Sequence, residues 1–316
     1  MSVASVVSVS LTIISALVAL CFLNRPRFWW QESICNLSLY LVPLLGASLI
    51  LHVKQLLSGK VKRVVSALGA LASGYCLCAI LSASVPFLWY PRWSSDNLPS
   101  VGDLRLVFID DCHISQSEAH ELLKTRAPNV VVVMGSAREV FLAEGTSLAT
   151  RRDFGDRGEI TVLTSLDTRE IGVPNLGFRA MPGGVIGVKL SGGATVDLGV
   201  IGLRPSTTRS DFERNRISAR RLSSYMRNSE ATRLVVGSFY STPFSQFVSV
   251  FTSQARMRSV WYGKGIVKTY DMDNVVSRFP FSHVLVSRDL RPISVERLTI
   301  PGCARAGFFV NLSATF

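Results

Sequence analysis

Asp110, Asp111 and His113 stand together in the run D-D-C-H, directly after the apolar segment Leu104–Ile109. Two carboxylates and an imidazole so close in sequence are donors that a cation accepts, magnesium or manganese through oxygen and borderline ions through the ring. At a strand end the same residue types also act as turn formers that satisfy nearby backbone groups, and both readings stay open. A second chemistry is anion recognition. Arg204, Arg209, Arg214, Arg216, Arg220, Arg221 and Arg227 crowd around one helical candidate. Such a stripe attracts phosphates, nucleic acid or anionic lipid head groups, or it is simply a solvated helix face. No G-x-S-x-G elbow is present, which removes that serine-hydrolase arrangement.

The elements that must position these residues lie in the last two thirds of the chain. Short apolar runs typical of buried strands occur at 104–109, 129–134, 160–163, 196–203, 233–239 and 284–287. Helical candidates fall between them at 115–125 and 210–228. The mixture predicts a layered α/β domain over 103–316, after a polar, turn-forming linker at 91–102. Linker and domain together, residues 91–316, carry 28 basic and 21 acidic residues, so they keep more than half of the chain's net charge of +12. There is no internal repeat and no low-complexity tract.

The first 90 residues are a different material. They hold six Lys/Arg, one acid (Glu32) and three apolar runs, 3–23, 37–53 and 66–90. Each run is long enough, or nearly so, to cross a hydrocarbon core of ~30 Å as a helix. The first run lacks a basic leading region and exceeds the apolar length usual in cleaved signal peptides, so it reads as a retained anchor. Lys54, Lys60, Lys62 and Arg63 follow the second run, against only Arg25 and Arg27 after the first. The basic excess predicts a cytoplasmic second loop and an outer location for everything after Tyr90, that is, a bacterial inner-membrane protein with a periplasmic C-terminal domain. Trp29, Trp30, Phe87, Trp89, Tyr90 and Trp93 would then share one outer interfacial belt. Gly69, Ala70, Ser73 and Gly74 give the third run small-residue spacing for close helix packing. His52 stands at the inner end of the second run, so the three segments read as an anchor with no ionisable residue deep inside. Cys21, Cys35, Cys76 and Cys78 lie in or beside these runs, whereas Cys112 and Cys303 belong to the domain.

The segment 234–245, LVVGSFYSTPFS, resembles the G-D-F-N-(A/S)-T-P strand end of the endonuclease/exonuclease/phosphatase superfamily. Further motifs follow the family order. The run 104–110 is similar to the opening L-R-V-L-x-F-N strand, 128–135 to P-D-V-V-x-L-Q-E, and 200–205 to V-x-x-T-H-x. The run 281–285 resembles I-D-H-V-L, 301–305 resembles P-G-S-D-H, and 308–312 resembles the closing strand. The resemblance implies a four-layer α/β/β/α sandwich behind a three-helix transmembrane anchor. It also implies that the positions carrying the family's chemistry have lost it. Asp110 stands for the Asn, Gly135 for the metal-binding Glu, Arg204 for the phosphate-stabilising His, and Ser238 and Tyr240 for the Asp and Asn of G-D-F-N. Ser282 replaces the Asp of I-D-H, and Ala304 and Arg305 replace the Asp-His pair. Hydrolysis by that route needs a carboxylate-held cation and a base, and glycine, alanine and a permanently protonated arginine provide neither. The expectation is therefore a catalytically inactive protein without a cofactor. Its expected partners are the lipid bilayer, other membrane-protein subunits or anionic head groups, and not nucleic acid. The resemblance places His283 beside the first strand end. An alternative Mg or Mn site of Asp110, Asp111, His113 and His283 would then make the protein a divergent phosphodiesterase or phosphatase. It also brings Arg204 and Arg305 together as anion-binding groups, and Cys112 and Cys303 together as a possible disulfide.

Overall fold

The computed structural model describes residues 3–23, 37–58, 63–89, 103–110, 112–144, 148, 150–155, 159–169, 182–243, 245–262, 281–300 and 307–314. The chain divides into two compact units, one built on Met1–Pro86 with Ser206–Arg209 and Ser241–Ser249, the other comprising the rest.

The first unit is dominated by helices α1 (Val3–Leu23), α2 (Ser38–Ser58) and α3 (Arg63–Trp89). Within α2 and α3, Tyr40–Ser58 and Arg63–Phe87 are long and apolar enough to cross a membrane, while Val6–Leu20 of α1 is a shorter apolar stretch. The bundle is apolar outside, and its interior is divided between an apolar cluster of Val18, Ala19, Leu45, Cys76 and Ile80 and a polar seam. Ser8, Thr12 and Ser15 of α1, Ser48, His52 and Gln55 of α2, and Ser66, Gly69 and Ser73 of α3 recur at three- and four-residue steps, so each set lies on one helix face. Ser8 and Ser66 donate to Gln55 Oε1 at 2.9 and 3.2 Å, and Thr12 Oγ1 lies 3.2 Å from His52 Nε2. The hydroxyls of Ser15, Ser48 and Ser73 form a closed ring with separations of 3.3, 2.9 and 2.9 Å. Gly69 makes room for the His52 ring, which a methyl group there would strike. Outward, Ile13, Leu17, Leu20, Ile50, Leu57, Leu68, Leu71 and Leu81 are exposed. The position of His52 corrects the sequence reading. Nothing in Val53–Ser58 breaks a helix, so α2 continues past residue 53, and His52 is fully buried in the bundle instead of marking its end.

The second unit is a mixed α/β sandwich of two six-stranded sheets. Its first sheet is formed by β1 (Asp103–Asp110), β2 (Val130–Met134), β3 (Thr150–Phe154), β4 (Ile160–Thr164), β11 (Leu290–Leu298) and β12 (Gly307–Ala314), in the order β11-β12-β1-β2-β4-β3. The second contains β5 (Asp167–Arg169), β6 (Gly183–Lys189), β7 (Thr195–Gly202), β8 (Thr232–Ser238), β9 (Arg258–Ser259) and β10 (Ser282–Val286), in the order β5-β6-β7-β8-β10-β9. Among the described strands only β1 with β2 and β7 with β8 run parallel. A parallel pair needs a crossover. Helix α4 (Gln116–Arg126) lies in the first crossover, and α6 (Arg209–Asn228) in the second, with α5 (Arg138–Glu144) and α7 (Gln246–Ala255) following β2 and β8. Ser115 and Glu118 start α4 with a reciprocal capping box, and the bonds from Ser115 hold the exposed Glu118 carboxyl below its ordinary value.

Strand alternation sorts the side chains into layers. Leu104, Leu106 and Phe108, Val130 and Val132, Val196, Leu198 and Val200, Leu234 and Val236, and Val284 and Val286 all join the core between the sheets. Their neighbours Val107, Ile109, Val131 and Val133 face outward and pack with Ala119 of α4 and Phe141 of α5. On the far side Gly199 lies directly under Met226 and Leu222 of α6. The six apolar runs recognised in sequence all form strands, within two residues at each end. Strand β11 was not anticipated because Pro292 interrupts it. At the sheet edge that proline is tolerated, with a slip in register between Pro292 and Ser294.

Candidate functional site

The alternation that builds the core also decides what gathers at one end of the sandwich. Continuing inward from Leu106 and Phe108 comes Asp110, from Leu234 and Val236 comes Ser238, and from Val284 and Val286 comes Ser282. Ser238 and Ser282 are directly opposed in register, so their side chains share a face. Ser282 Oγ then crosses between the sheets and donates to Asp110 Oδ2 at 2.8 Å. Asp110, Ser282 and Ser238 are each at most 2% exposed. Beside them Met134 of β2 reaches across to Gly202 of β7, whose missing Cβ leaves room for the methionine methyl. Gly237 is fixed by an even closer approach, since a Cβ there would collide with the carbonyl oxygen of Ile201.

His283 points the opposite way from Ser282. It is buried, opposed to Gly237 in register, and its ring meets Phe239 edge-on with centroids 5.3 Å apart, while Phe239 meets Phe251 of α7 at 5.2 Å. Consecutive strand residues face opposite sides, so His283 and the inward-facing Asp110 lie on different faces of their sheets. His113 is exposed. Asp111, Cys303, Ala304 and Arg305 lie outside the described residues. Among the described residues no three His, Cys, Asp or Glu side chains come together as a metal-holding group.

Two of the family-motif positions have positive backbone φ angles. Gly135 opens a single turn of 3-10 helix at φ +79°, and its N–H donates to the carbonyl of Glu159 at 3.2 Å. That left-handed value suits glycine and costs a residue with a Cβ about 1–2 kcal/mol. Tyr240 is also left-handed, at φ +47°. Asparagine adopts that region readily and tyrosine does not, so the site holds a backbone suited to Asn with a bulkier ring upon it. The Tyr240 ring stacks on Phe281 at 6.0 Å, and Phe239 N–H donates to the Phe281 carbonyl at 2.9 Å.

Arg204 follows β7 and is exposed, but its backbone is clasped by the buried Asn215 of α6. Arg204 N–H donates to Asn215 Oδ1 at 3.2 Å, and Asn215 Nδ2 donates to the Arg204 carbonyl at 2.7 Å. The sequence reading missed Asn215. Its only signal is a polar residue on the buried stripe of an amphipathic helix. Beyond the turn after β2, Arg138 and Arg151 face Asp153 at 3.9 and 2.6 Å, and Thr161 Oγ1 donates to Asp153 Oδ1 at 2.6 Å. Burial pushes the Asp153 carboxyl up, but the bonds from Arg151 and Thr161 and the charges of Arg151 and Arg138 outweigh it and hold the group below its ordinary value. Cys112 is buried in the layer between the first sheet and its helices, and it is disulfide-bonded. Cys76 and Cys78 are free thiols.

By sequence the chain matches no family model and no curated protein. By structure it is similar to D. rerio TDP2 complexed with a single-strand DNA product, with a TM-score of 0.52 and 13% identity, over 67% of this chain and 99% of that one. The domain has the endonuclease/exonuclease/phosphatase fold. Family proteins from Bacteroides vulgatus and Bacteroides thetaiotaomicron match comparably, each with a TM-score of 0.50, at 13% and 10% identity, over 67% and 68% of this chain and 99% and 98% of theirs. At such identities the likeness establishes the fold, and the DNA of the D. rerio complex is a property of that protein.

The fold family implies a hard divalent cation, and the described donors do not fit one. Magnesium asks for several oxygens in near-octahedral array, usually carboxylates and waters. The inward face offers one carboxyl already engaged by Ser282, with serines in the two opposed places and a glycine after β2.

Proposed function

We propose that this is a membrane-anchored, extracytoplasmic protein whose endonuclease/exonuclease/phosphatase-like domain no longer hydrolyses phosphoesters and acts as a binding or structural subunit of a membrane assembly. One observation carries the reading: Asp110 is joined across the sheets by Ser282 and flanked by Ser238, while Gly135 occupies a backbone conformation hostile to a carboxylate residue. The fold's chemistry would require an orienting base and a filled cation site at that end of the sandwich.

Support for the anchor comes from the bundle's apolar exterior and the polar seam in its interior. In water, exposed Leu, Ile and Val around buried Ser, Thr, His and Gln would be unfavourable on both counts. In a bilayer the same arrangement is the stable one, because lipid welcomes the outer face and the hydroxyls satisfy one another inside. The basic excess around Lys60, Lys62 and Arg63 supports a cytoplasmic turn and an outer domain. Cys112 adds to this, since disulfides persist in oxidising compartments. Its partner in this reading is Cys303.

The test is hydrolysis of bis-(p-nitrophenyl) phosphate by the full chain in detergent with Mg²⁺ or Mn²⁺, with metal binding followed by calorimetry on the same sample. Neither turnover nor binding is expected. Turnover abolished by Asp110→Ala or His283→Ala would overturn the reading and make the protein a divergent phosphoesterase.

A further inference from the structure

Helix α6 carries arginines on both flanks of its exposed side. Phe212, Asn215, Ser218, Ala219, Leu222, Ser223 and Met226 are buried against the domain, while the exposed Arg209, Arg216, Arg220 and Arg227 recur at four- and seven-residue steps along one flank and Arg214 and Arg221, seven apart, along the other. Twenty residues at 1.5 Å each make this a cationic strip about 30 Å long. The helix has no lysine and only two acids, Asp211 and Glu213, of which Glu213 pairs with Arg216 at 2.8 Å. Salt-bridge lacing would call for acids four residues away from most of these arginines, and the sequence does not supply them. Arginine in place of lysine is also informative, because the planar guanidinium grips a phosphate through two parallel N–H bonds whereas an ammonium acts as a point charge.

We propose that the exposed arginine face of α6 docks on the phosphate head groups of an anionic bilayer. The inference rests on the membrane-anchored reading. Only thirteen residues separate Trp89, the end of α3, from Asp103, the start of β1, a span of at most about 50 Å. A domain so tethered meets head groups at far higher local concentration than any soluble polyanion, and its most cationic helix is the face that complements them. Docking would hold the domain in one orientation on the membrane.

The experiment uses the full chain in lipid nanodiscs, one set zwitterionic and one containing about 30% anionic phosphatidylglycerol, near the upper range of natural surface potentials. Phenylglyoxal modification followed by peptide mass spectrometry reads each arginine separately. Modification of Arg214, Arg220 and Arg227 should slow at least threefold in the anionic discs and recover at high salt, while the exposed Arg105 and Arg288 on other elements keep their rates. Equal rates for the helix arginines in both discs, with the protein still eluting with the discs, would refute the docking surface alone. A chain that separates from the discs would refute the anchor itself. Uniform slowing of all arginines would also count against the proposal, as would protection by an added single-stranded oligonucleotide in neutral discs with none from anionic lipid.

Discussion

Replacing Gly135 with glutamate would return to the chain the residue type that the fold family uses to hold its cation, and the backbone says that this will fail. With φ at +79°, a Cβ costs about 1–2 kcal/mol whatever follows it. Gly135→Ala measures that cost alone, and for a domain of about 200 residues it corresponds to a fall in Tm of roughly 2–8 °C. Gly135→Glu should lose the same amount, because the position is solvent-exposed. Full-length protein in detergent, unfolded thermally under near-UV circular dichroism, gives both numbers. The decisive comparison adds Mn²⁺. A site filled about 100-fold above its Kd stabilises the native state by about 2.7 kcal/mol. The glutamate variant should gain no more than the alanine variant. A manganese-dependent gain of that size confined to Gly135→Glu would show that a cation seat survives and would refute the proposed loss of the metal site. Variants as stable as the parent would show instead that the turn relaxes out of the left-handed region.

The bond between Ser282 and Asp110 should appear as a coupling of about 2 kcal/mol in a double-mutant cycle of Ser282→Ala with Asp110→Asn, and a value below about 0.5 kcal/mol would mean that the sheets are not joined there. At position 240 the usual ranking should invert. Tyr240→Gly should be more stable than Tyr240→Ala by about 1 kcal/mol in urea denaturation, since both lose the stack on Phe281 and only glycine relieves the positive φ. Asp153→Asn should weaken the fold at neutral pH by under about 1 kcal/mol once solvent screening is allowed for. The parent carboxyl is depressed in the folded state, so its contribution is present above the unfolded value near 3.9 and is lost as pH falls through the folded one. Parent and variant should therefore converge in acid, and a gap that widens below about pH 4 would contradict the assignment.

The strands and the family-like motif order were legible because buried strands are written as apolar runs with a period of two, and the end of each run marks a position at the top of the sandwich. Asp110, Ser238 and Ser282 could thus be placed by counting from Phe108, Val236 and Val284. Their contact could not, because Ser282 and Asp110 are 172 residues apart and their pairing depends on the spacing between two sheets. The left-handed backbone at Gly135 is equally silent, since a glycine permits that conformation without requiring it. The resemblance sets His283 near Asp110, whereas strand parity turns its ring to the face of Gly237 and Phe239. In the bundle, serines at helical spacing inside apolar runs were present in the sequence, but hydropathy averaging hides them. Ending the second run at residue 53 made His52 look like a boundary.

The polar seam of the bundle also fixes an order of manufacture. Taken alone in hydrocarbon, α2 would present His52, Gln55 and Ser48 to lipid with few partners, so it is the reluctant member of the three. The hydroxyls of α1 precede it in the chain and are available as it arrives, and Ser66 and Ser73 of α3 then close the seam. All of this lies upstream of Asp103. On the membrane-anchored reading proposed above, the seam can therefore close before the first strand of the sandwich emerges, and a defect in it would surface as a failure of membrane insertion in a protein whose globular half carries no lesion.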